Sequence, residues 1–180
     1  MRRTFPPMII IVFIFFILSI SGDPVPSLPE ADRMRLAEAF RLANVLGDQL
    51  WKDWSQVPFA VLLVTQDHEF LIRHPKPPAD FVKTGHDSLL SSDIYFRKRV
   101  FNPEFQATFP IEGIATVVIG QAEKTQAGKS TPWVLTVLHE HFHQFQMSDP
   151  EYYKEVDHLE LSRGDTTGMW MLNFPFPYET

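Results

Sequence analysis

The chain has 180 residues, a formal net charge of −6 and no cysteine. This length is enough for one domain with a single hydrophobic core. The acidic balance argues against nucleic acid as a partner, because phosphates require a basic face. The lack of cysteine excludes disulfides, thiolate metal sites and cysteine nucleophiles, so core packing or a metal ion must stabilise an exported form.

The N-terminus has the pattern of a secretory signal. Arg2 and Arg3 form a basic start, residues 8–18 are an unbroken apolar run, and residues 19–22 offer small side chains for cleavage. The run is shorter than the about 20 residues that span a membrane comfortably. We therefore expect a signal peptide over 1–22 and a secreted or periplasmic product. The alternative is an uncleaved segment that anchors the protein, the only case in which we expect a membrane partner.

Residues 23–28 are predicted to be a stiff linker, and residues 29–180 a single domain. Ser27 and Glu30 have the spacing of a capping box, which predicts a helix as far as about Trp54. We expect its apolar stripe to pack on a sheet; the stripe consists of Leu36, Phe40, Ala43, Leu46, Leu50 and Trp54.

Four apolar or alternating stretches predict strands: 58–65, 69–74, 94–101 and 109–120. The basic cluster at 97–99 is expected to be a solvated face, and the isolated His68, His74 and His86 to be surface or hydrogen-bonded residues. The pattern predicts an α+β fold. Its mixed or antiparallel sheet would pack against the N-terminal helix and a second helix over 131–147.

The second helix carries an H-E-x-x-H motif made by His139, Glu140 and His143. Residues four apart share a face of a helix, so both imidazoles can reach one metal ion. Glu140 projects about 100° from His139, where it can take a proton from a water on that ion. Thr131 and Pro132 suit the helix start, with Thr131 as N-cap. The alternative is a buried helix with merely hydrogen-bonded histidines, which is costly if their polar atoms are unpaired.

Residues 128–131 (GKST) resemble the end of a phosphate-binding loop. That loop requires G-x-x-x-x-G-K-[ST], and Glu123 stands where its first glycine should be. A carboxylate in the cradle would repel phosphate. We therefore expect no nucleotide partner.

The motif helix resembles that of the zincin metallopeptidases, whose longer pattern it matches at Thr136, Phe142, Gln144 and Phe145. The resemblance implies a zincin-like fold and a Zn2+ cofactor bound by His139 and His143. It also implies Glu140 as the catalytic general base and a peptide or protein as the substrate. Zincins commonly hold the peptide by adding it to an edge strand beside the motif helix, so we expect it against 109–120 or the neighbouring strand.

The third zinc ligand is left open by the sequence. Gluzincins such as thermolysin supply a glutamate from a following helix, and Glu160 lies near that register but not in it. Metzincins place a ligand where Asp149 stands, but Gln146 replaces their turn-forming glycine. We predict Glu160 as the third ligand and Asp149 as a helix cap. The remaining candidates are Glu151, Glu155, Asp157 and His158.

The expected function is that of an exported zinc-dependent metallopeptidase-like hydrolase. The alternative is a non-catalytic exported zinc-binding domain, a degenerate or truncated zincin. The short stretch of chain after the motif helix favours that alternative, because zincins usually continue into a substantial second subdomain.

Overall fold

The computed structural model describes residues 25–152, 154 and 158. In chain order the helices and strands are α1 (Glu30–Leu50), β1 (Val61–Val64), β2 (His68–Ile72), β3 (Val82–Asp87), β4 (Ser92–Lys98), β5 (Gln106–Ile111), β6 (Ile114–Gly120) and α2 (Ser130–Ser148). The predicted signal segment lies outside the described residues. None of the helices in the described part of the chain has the length and apolar character to cross a membrane.

The strands form one mixed sheet in the order β3-β4-β2-β1-β6-β5. The β1–β6 pair, inside the sheet, is parallel and every other pair is antiparallel. Parallel neighbours cannot be joined by a hairpin, and β2 to β5 lie between β1 and β6 in the chain. β3 and β5 are the two edges. The predicted α+β class with a mixed sheet is confirmed.

Both helices pack on one face of this sheet. Side chains alternate along each strand, so Val61 and Leu63 of β1 point toward the helices while Leu62 and Val64 point away. The larger core lies between helices and sheet and includes the fully buried Trp133 of α2. The opposite face is covered by aromatic side chains of loops and edge strands, among them Phe81, Phe101, Phe105 and Phe109.

The helices α1 and α2 lie side by side with their N-terminal ends together. Near that end, Arg35 Nε donates to Ser130 Oγ at 2.9 Å, and the same guanidinium pairs with Glu123. Near the other end, the Trp51 ring packs edge-on against Phe142, with ring centroids 5.6 Å apart. The two helices therefore share a surface that faces away from the sheet.

Helix α1 differs from its prediction at both ends. Its N-cap is Pro29, whose carbonyl accepts the first helical hydrogen bond, and no side chain caps it, so the Ser27 capping box is wrong. The helix ends at Leu50, and Trp54 lies in a separate 3₁₀ turn. Leu46 and Leu50 are 38% and 67% exposed because this end of the stripe borders α2 rather than the sheet. The part of the stripe buried as predicted is Leu36, Phe40 and Ala43.

Three of the predicted strands overlap β1, β2 and β4. The predicted strand 109–120 is wrong as a single strand: it contains the end of β5 and all of β6. Glu112 and Gly113 turn the chain between them with φ of 46° and 77°. β3 has no counterpart among the predicted strands, because its polar sequence lacks apolar alternation and forms a strand by pairing with β4.

The basic cluster at 97–99 is not simply a solvated face. Arg97 Nε donates to Oε2 of the fully buried Glu69 at 2.7 Å, and its guanidinium lies 4.5 Å from the centre of the Phe81 ring. The sequence prediction is wrong at Arg97 because a buried carboxylate on the neighbouring strand requires a partner. His74 and His86 are hydrogen-bonded, to Ile111 O and to Asp93.

Candidate metal centre

Helix α2 is fixed to the sheet at its first turn. Trp133 Nε1 donates to Gly120 O, at the end of β6, at 2.7 Å. A Cβ atom at Gly120 would lie 1.6 Å from Pro103 O, so only glycine fits this crossing point. The N-cap of α2 is Lys129, without a side-chain cap, and Thr131 lies within the helix. The prediction of Thr131 as N-cap is therefore wrong, although the predicted helix is present.

The two motif histidines face the same side of α2. Their Nε2 atoms are 3.1 Å apart, with ring planes at 89°. His139 is exposed and His143 is partly buried. Two nitrogens that bind one zinc ion at about 2.0–2.1 Å in tetrahedral geometry lie about 3.3 Å apart. The pair is thus spaced as metal ligands are, and the same distance also suits an N–H···N hydrogen bond between two neutral rings.

Glu140 lies beside the histidine pair and is turned toward the edge strand. Its side chain is buried, and Oε2 accepts a hydrogen bond from Thr108 Oγ1 at 2.9 Å. The same hydroxyl is 2.8 Å from the Glu140 carbonyl oxygen. Ligand atoms of His139, Glu140 and His143 all lie within 4.8 Å of one another, so this group could hold a metal ion. Donors of imidazole nitrogen and carboxylate oxygen suit Zn2+ among other divalent ions.

Gln146 and Tyr152 form an outer layer behind His143. His143 Nδ1 lies 2.7 Å from Gln146 Oε1, and Gln146 Nε2 donates to Tyr152 Oη at 2.8 Å. Because the amide oxygen accepts, Nδ1 carries the proton and the lone pair is on Nε2, the atom that faces His139. A hydrogen bond of this kind is the usual way in which proteins fix the tautomer of a metal-binding histidine.

His141, between the motif histidines, belongs to the core. Its ring stacks on Phe59 with centroids 3.7 Å apart, and Nδ1 contacts Gln144 Oε1 at 2.8 Å. Gln144 is itself buried and donates to the carbonyl oxygens of Ala60 and Ala115. Burial lowers the pKa of His141 to about 4, so the ring is neutral at physiological pH. It helps to seat α2 on the sheet.

The predicted third ligand, Glu160, lies outside the described residues, as do Glu155 and Asp157. Asp149 accepts a hydrogen bond from the Glu151 N–H at 2.9 Å, the contact expected of a cap, and most of the helix that it was predicted to cap lies outside the described residues. Within the described part of the chain, the metal-binding group contains no residue beyond His139, Glu140 and His143.

The GKST stretch before α2 contributes to helix packing. Ser130 Oγ accepts a hydrogen bond from Arg35, and Glu123, which stands at the position of the missing glycine, pairs with the same arginine. The loop turns at Gly128, where φ is 63°. These polar groups join the N-terminal ends of the two helices.

Sequence reasoning missed Thr108 and Gln146. Gln146 follows His143 by three residues, as Gln144 follows His141. Side chains three residues apart are neighbours on a helix, so the sequence did contain a signal for the contact between Gln146 and His143. Thr108 gave no signal, because its contact with Glu140 depends on how α2 crosses β5.

An α+β fold with a mixed sheet and a His-Glu-His group on the helix that follows β6 defines a candidate metal-binding domain. Comparison of the chain with known protein families, curated proteins and solved structures found no match. Function must therefore be inferred from the residues themselves.

Proposed function

We propose that this protein is an exported zinc-dependent hydrolase of the zincin type, which cleaves peptide bonds. The proposal rests on one observation: His139 Nε2 and His143 Nε2 are 3.1 Å apart, and a carboxylate oxygen of Glu140 lies within 4.8 Å of the ligand atoms of both. In an H-E-x-x-H zinc site, two imidazoles on one helix face supply two of the three protein ligands, and the carboxylate beside them is the general base. The signal-like pattern of residues 1–22 supports export.

The proposed chemistry assigns one task to each residue. His139 and His143 would hold zinc through Nε2, and Gln146 keeps the lone pair of His143 directed at that position. Zinc in such a site supplies Lewis acidity, which lowers the pKa of a water to about 7 and polarises a carbonyl group. Glu140 would accept the proton of that water and return it to the leaving amine. Thr108 holds the carboxylate in place for both transfers.

The edge strand β5 is suited to hold an extended peptide. Phe105 O accepts a hydrogen bond from Gly120 N. Along a strand, the backbone polar groups of successive residues face opposite neighbours, so those of Gln106, Thr108 and Pro110 face away from β6, toward the open edge. Pro110 has no N–H, which limits pairing at that end. A peptide added at Gln106 and Thr108 would lie next to Glu140, because the Thr108 side chain contacts that carboxylate.

Metal analysis and one conservative variant test the proposal. The purified protein is expected to bind one zinc ion and to cleave members of a peptide library. Glu140→Gln should keep the metal and lose about 10²–10⁴-fold in kcat, the usual contribution of a general base. Glu38→Gln removes an exposed carboxylate on α1, outside the metal-binding group, and is the matched control. Hydrolysis by Glu140→Gln at the rate of the unaltered protein would contradict the mechanism.

The second candidate is an exported domain that binds zinc without catalysis. The residues of the metal-binding group favour this candidate. Among the described residues, Glu140 is the one carboxylate in the group, and it could serve as the third ligand. In that case Glu140→Gln would lose the metal, and a chelator would lower the melting temperature of a protein that cleaves no peptide. In the catalytic case the third ligand comes from elsewhere, and Glu160 is our proposal.

A further inference from the structure

An apolar groove runs between α1 and α2 on the side away from the sheet. We call it the α1–α2 groove; it encloses about 500 Å³, and its apolar walls include Leu42, Leu46, Leu50, Leu135, Leu138 and Phe142. A second depression of about 420 Å³, nearer the N-terminal ends of the helices, shares Leu42 and Leu135 with it. His139 also lines the groove, and among its described lining residues no other is ionisable.

Large apolar side chains in and beside the groove are open to solvent. Leu50 is 67% exposed, Leu135 59% and the adjoining Trp51 56%. Burial of such side chains removes apolar surface from water and so favours binding. Contiguous apolar surface of this kind marks a place where something else binds.

We propose that residues 169–178 of this chain occupy the α1–α2 groove. Seven of these ten residues are apolar or aromatic and none is charged (MWMLNFPFPY). The described residues that line the groove include no Asp, Glu, Lys or Arg, so segment and groove match in chemistry.

The position of the segment in the chain makes this contact feasible. The chain leaves α2 at Ser148, at the end where Trp51 packs on Phe142 and Phe145, and this is also the end of α1 that carries Leu50. From Leu135 to Phe142 the groove follows about 10 Å of helix. The residues between His158 and position 169 can span about 33 Å when extended, which is ample.

The occupied groove would complete a cleft around the metal centre. Leu138 and Glu140 project about 100° to either side of His139. The Glu140 side faces β5, and the Leu138 side faces the groove. The segment would therefore wall the side of His139 opposite the edge strand. This placement does not depend on hydrolase activity, and its test does not measure activity.

The absence of cysteine allows a clean cross-linking test on the full chain. The test pair is Leu46→Cys with Met171→Cys, and the matched control is Asn44→Cys with Met171→Cys. Asn44 is exposed on the same turn of α1, about 160° around the helix from Leu46. With diamide as oxidant and micromolar protein, the test pair should form an intramolecular disulfide at least about tenfold faster than the control, because a seated segment exceeds the millimolar effective concentration of a free tether.

A second measurement uses limited chymotrypsin digestion of single variants. Leu46→Asp should speed cleavage within 169–178, whereas Asn44→Asp should leave the rate unchanged.

Equal disulfide rates in both pairs, or equal cleavage in both variants, would overturn the proposal. Disulfide-linked dimers that increase with concentration would assign the groove to a second copy of the chain. If the unaltered protein floats with phosphatidylcholine vesicles and Leu46→Asp does not, the groove would be assigned to membrane binding. Either result would also overturn the proposal.

Discussion

His143 is held at both ring nitrogens, on one side by Gln146 and on the other by the approach of His139. Nδ1 contacts Gln146 Oε1 at 2.7 Å, and Nε2 lies 3.1 Å from His139 Nε2. Gln146 is in turn tied to Tyr152. The imidazole therefore cannot rotate freely, and a metal ion would meet a ligand that is already oriented.

Removal of the amide behind His143 should weaken metal binding. We expect Gln146→Leu to raise the dissociation constant for zinc about 10–100-fold, the usual effect of losing an outer hydrogen bond to a metal ligand. Competition with a fluorescent chelator measures this change. Ser148→Ala, two residues further along the same helix, is the control. Unchanged affinity in Gln146→Leu would show that the contact is incidental.

His141 should make the stability of the fold depend on pH. Burial depresses its pKa to about 4 from 6.5, so the unfolded chain takes up the proton first as the pH falls. Its stabilising effect is therefore complete above pH 6.5 and is lost between pH 6.5 and 4. The protein should lose about 3 kcal/mol more over this range than His141→Gln. Urea unfolding in the presence of a chelator measures the difference, and parallel curves for the two proteins would contradict it.

At the scale of elements, the site depends on the contact between α2 and β5. Thr108 supplies this contact from the middle of the edge strand, where its hydroxyl meets both the carboxylate and the carbonyl oxygen of Glu140. The strand proposed to hold the substrate and the proposed general base are thus joined by one side chain.

Replacement of Thr108 should separate orientation of the base from metal binding. Thr108→Val keeps the side-chain shape but leaves the buried Glu140 carboxylate without its donor, which costs about 1–3 kcal/mol. If this cost adds fully to the activation free energy, kcat should fall about 5–150-fold, and the zinc content should not change. Thr108→Ser should restore most of the rate. Loss of zinc in Thr108→Val, or no rescue by serine, would contradict the positioning role.

The helices were predictable because their signals are local. The H-E-x-x-H spacing and the apolar residues around it fix the period of α2, and His139 and His143 meet as that period requires. The end of α1 was not predictable in the same way. Its apolar stripe continues to Leu50, but only the packing of α1 beside α2 decides that this residue stays exposed.

The parts of the sheet that depend on pairing between strands were not predicted. β3 becomes a strand only because β4 pairs with it, and the hairpin between β5 and β6 is set by the positive φ angles of Glu112 and Gly113. Arg97 was predicted to be solvated because its partner Glu69 lies on β2, which the sequence around Arg97 does not reveal. The first two features are hairpins between consecutive strands, and the third joins residues 28 positions apart. None of them shows in the periodicity of a single segment.

At the scale of the whole molecule, sheet and helices together leave His139 of the candidate metal-binding group open to solvent and keep Glu140 buried. The sheet buries one side of α2 through Trp133 and Gln144, and this leaves His139 exposed and His143 partly buried on the other. A cysteine-free chain has no disulfide to stabilise it. A bound metal would add to its stability through its preference for the folded state.

Calorimetric titration of zinc into chelator-treated protein tests the central claim most directly. We expect one site per chain in the unaltered protein. His139→Ala and His143→Ala should each weaken binding by more than about 100-fold, beyond the effect of losing an outer hydrogen bond. His86→Ala, which removes an exposed histidine paired with Asp93, should bind as the unaltered protein does. Undiminished binding in both His139→Ala and His143→Ala would contradict the claim that this pair holds the metal.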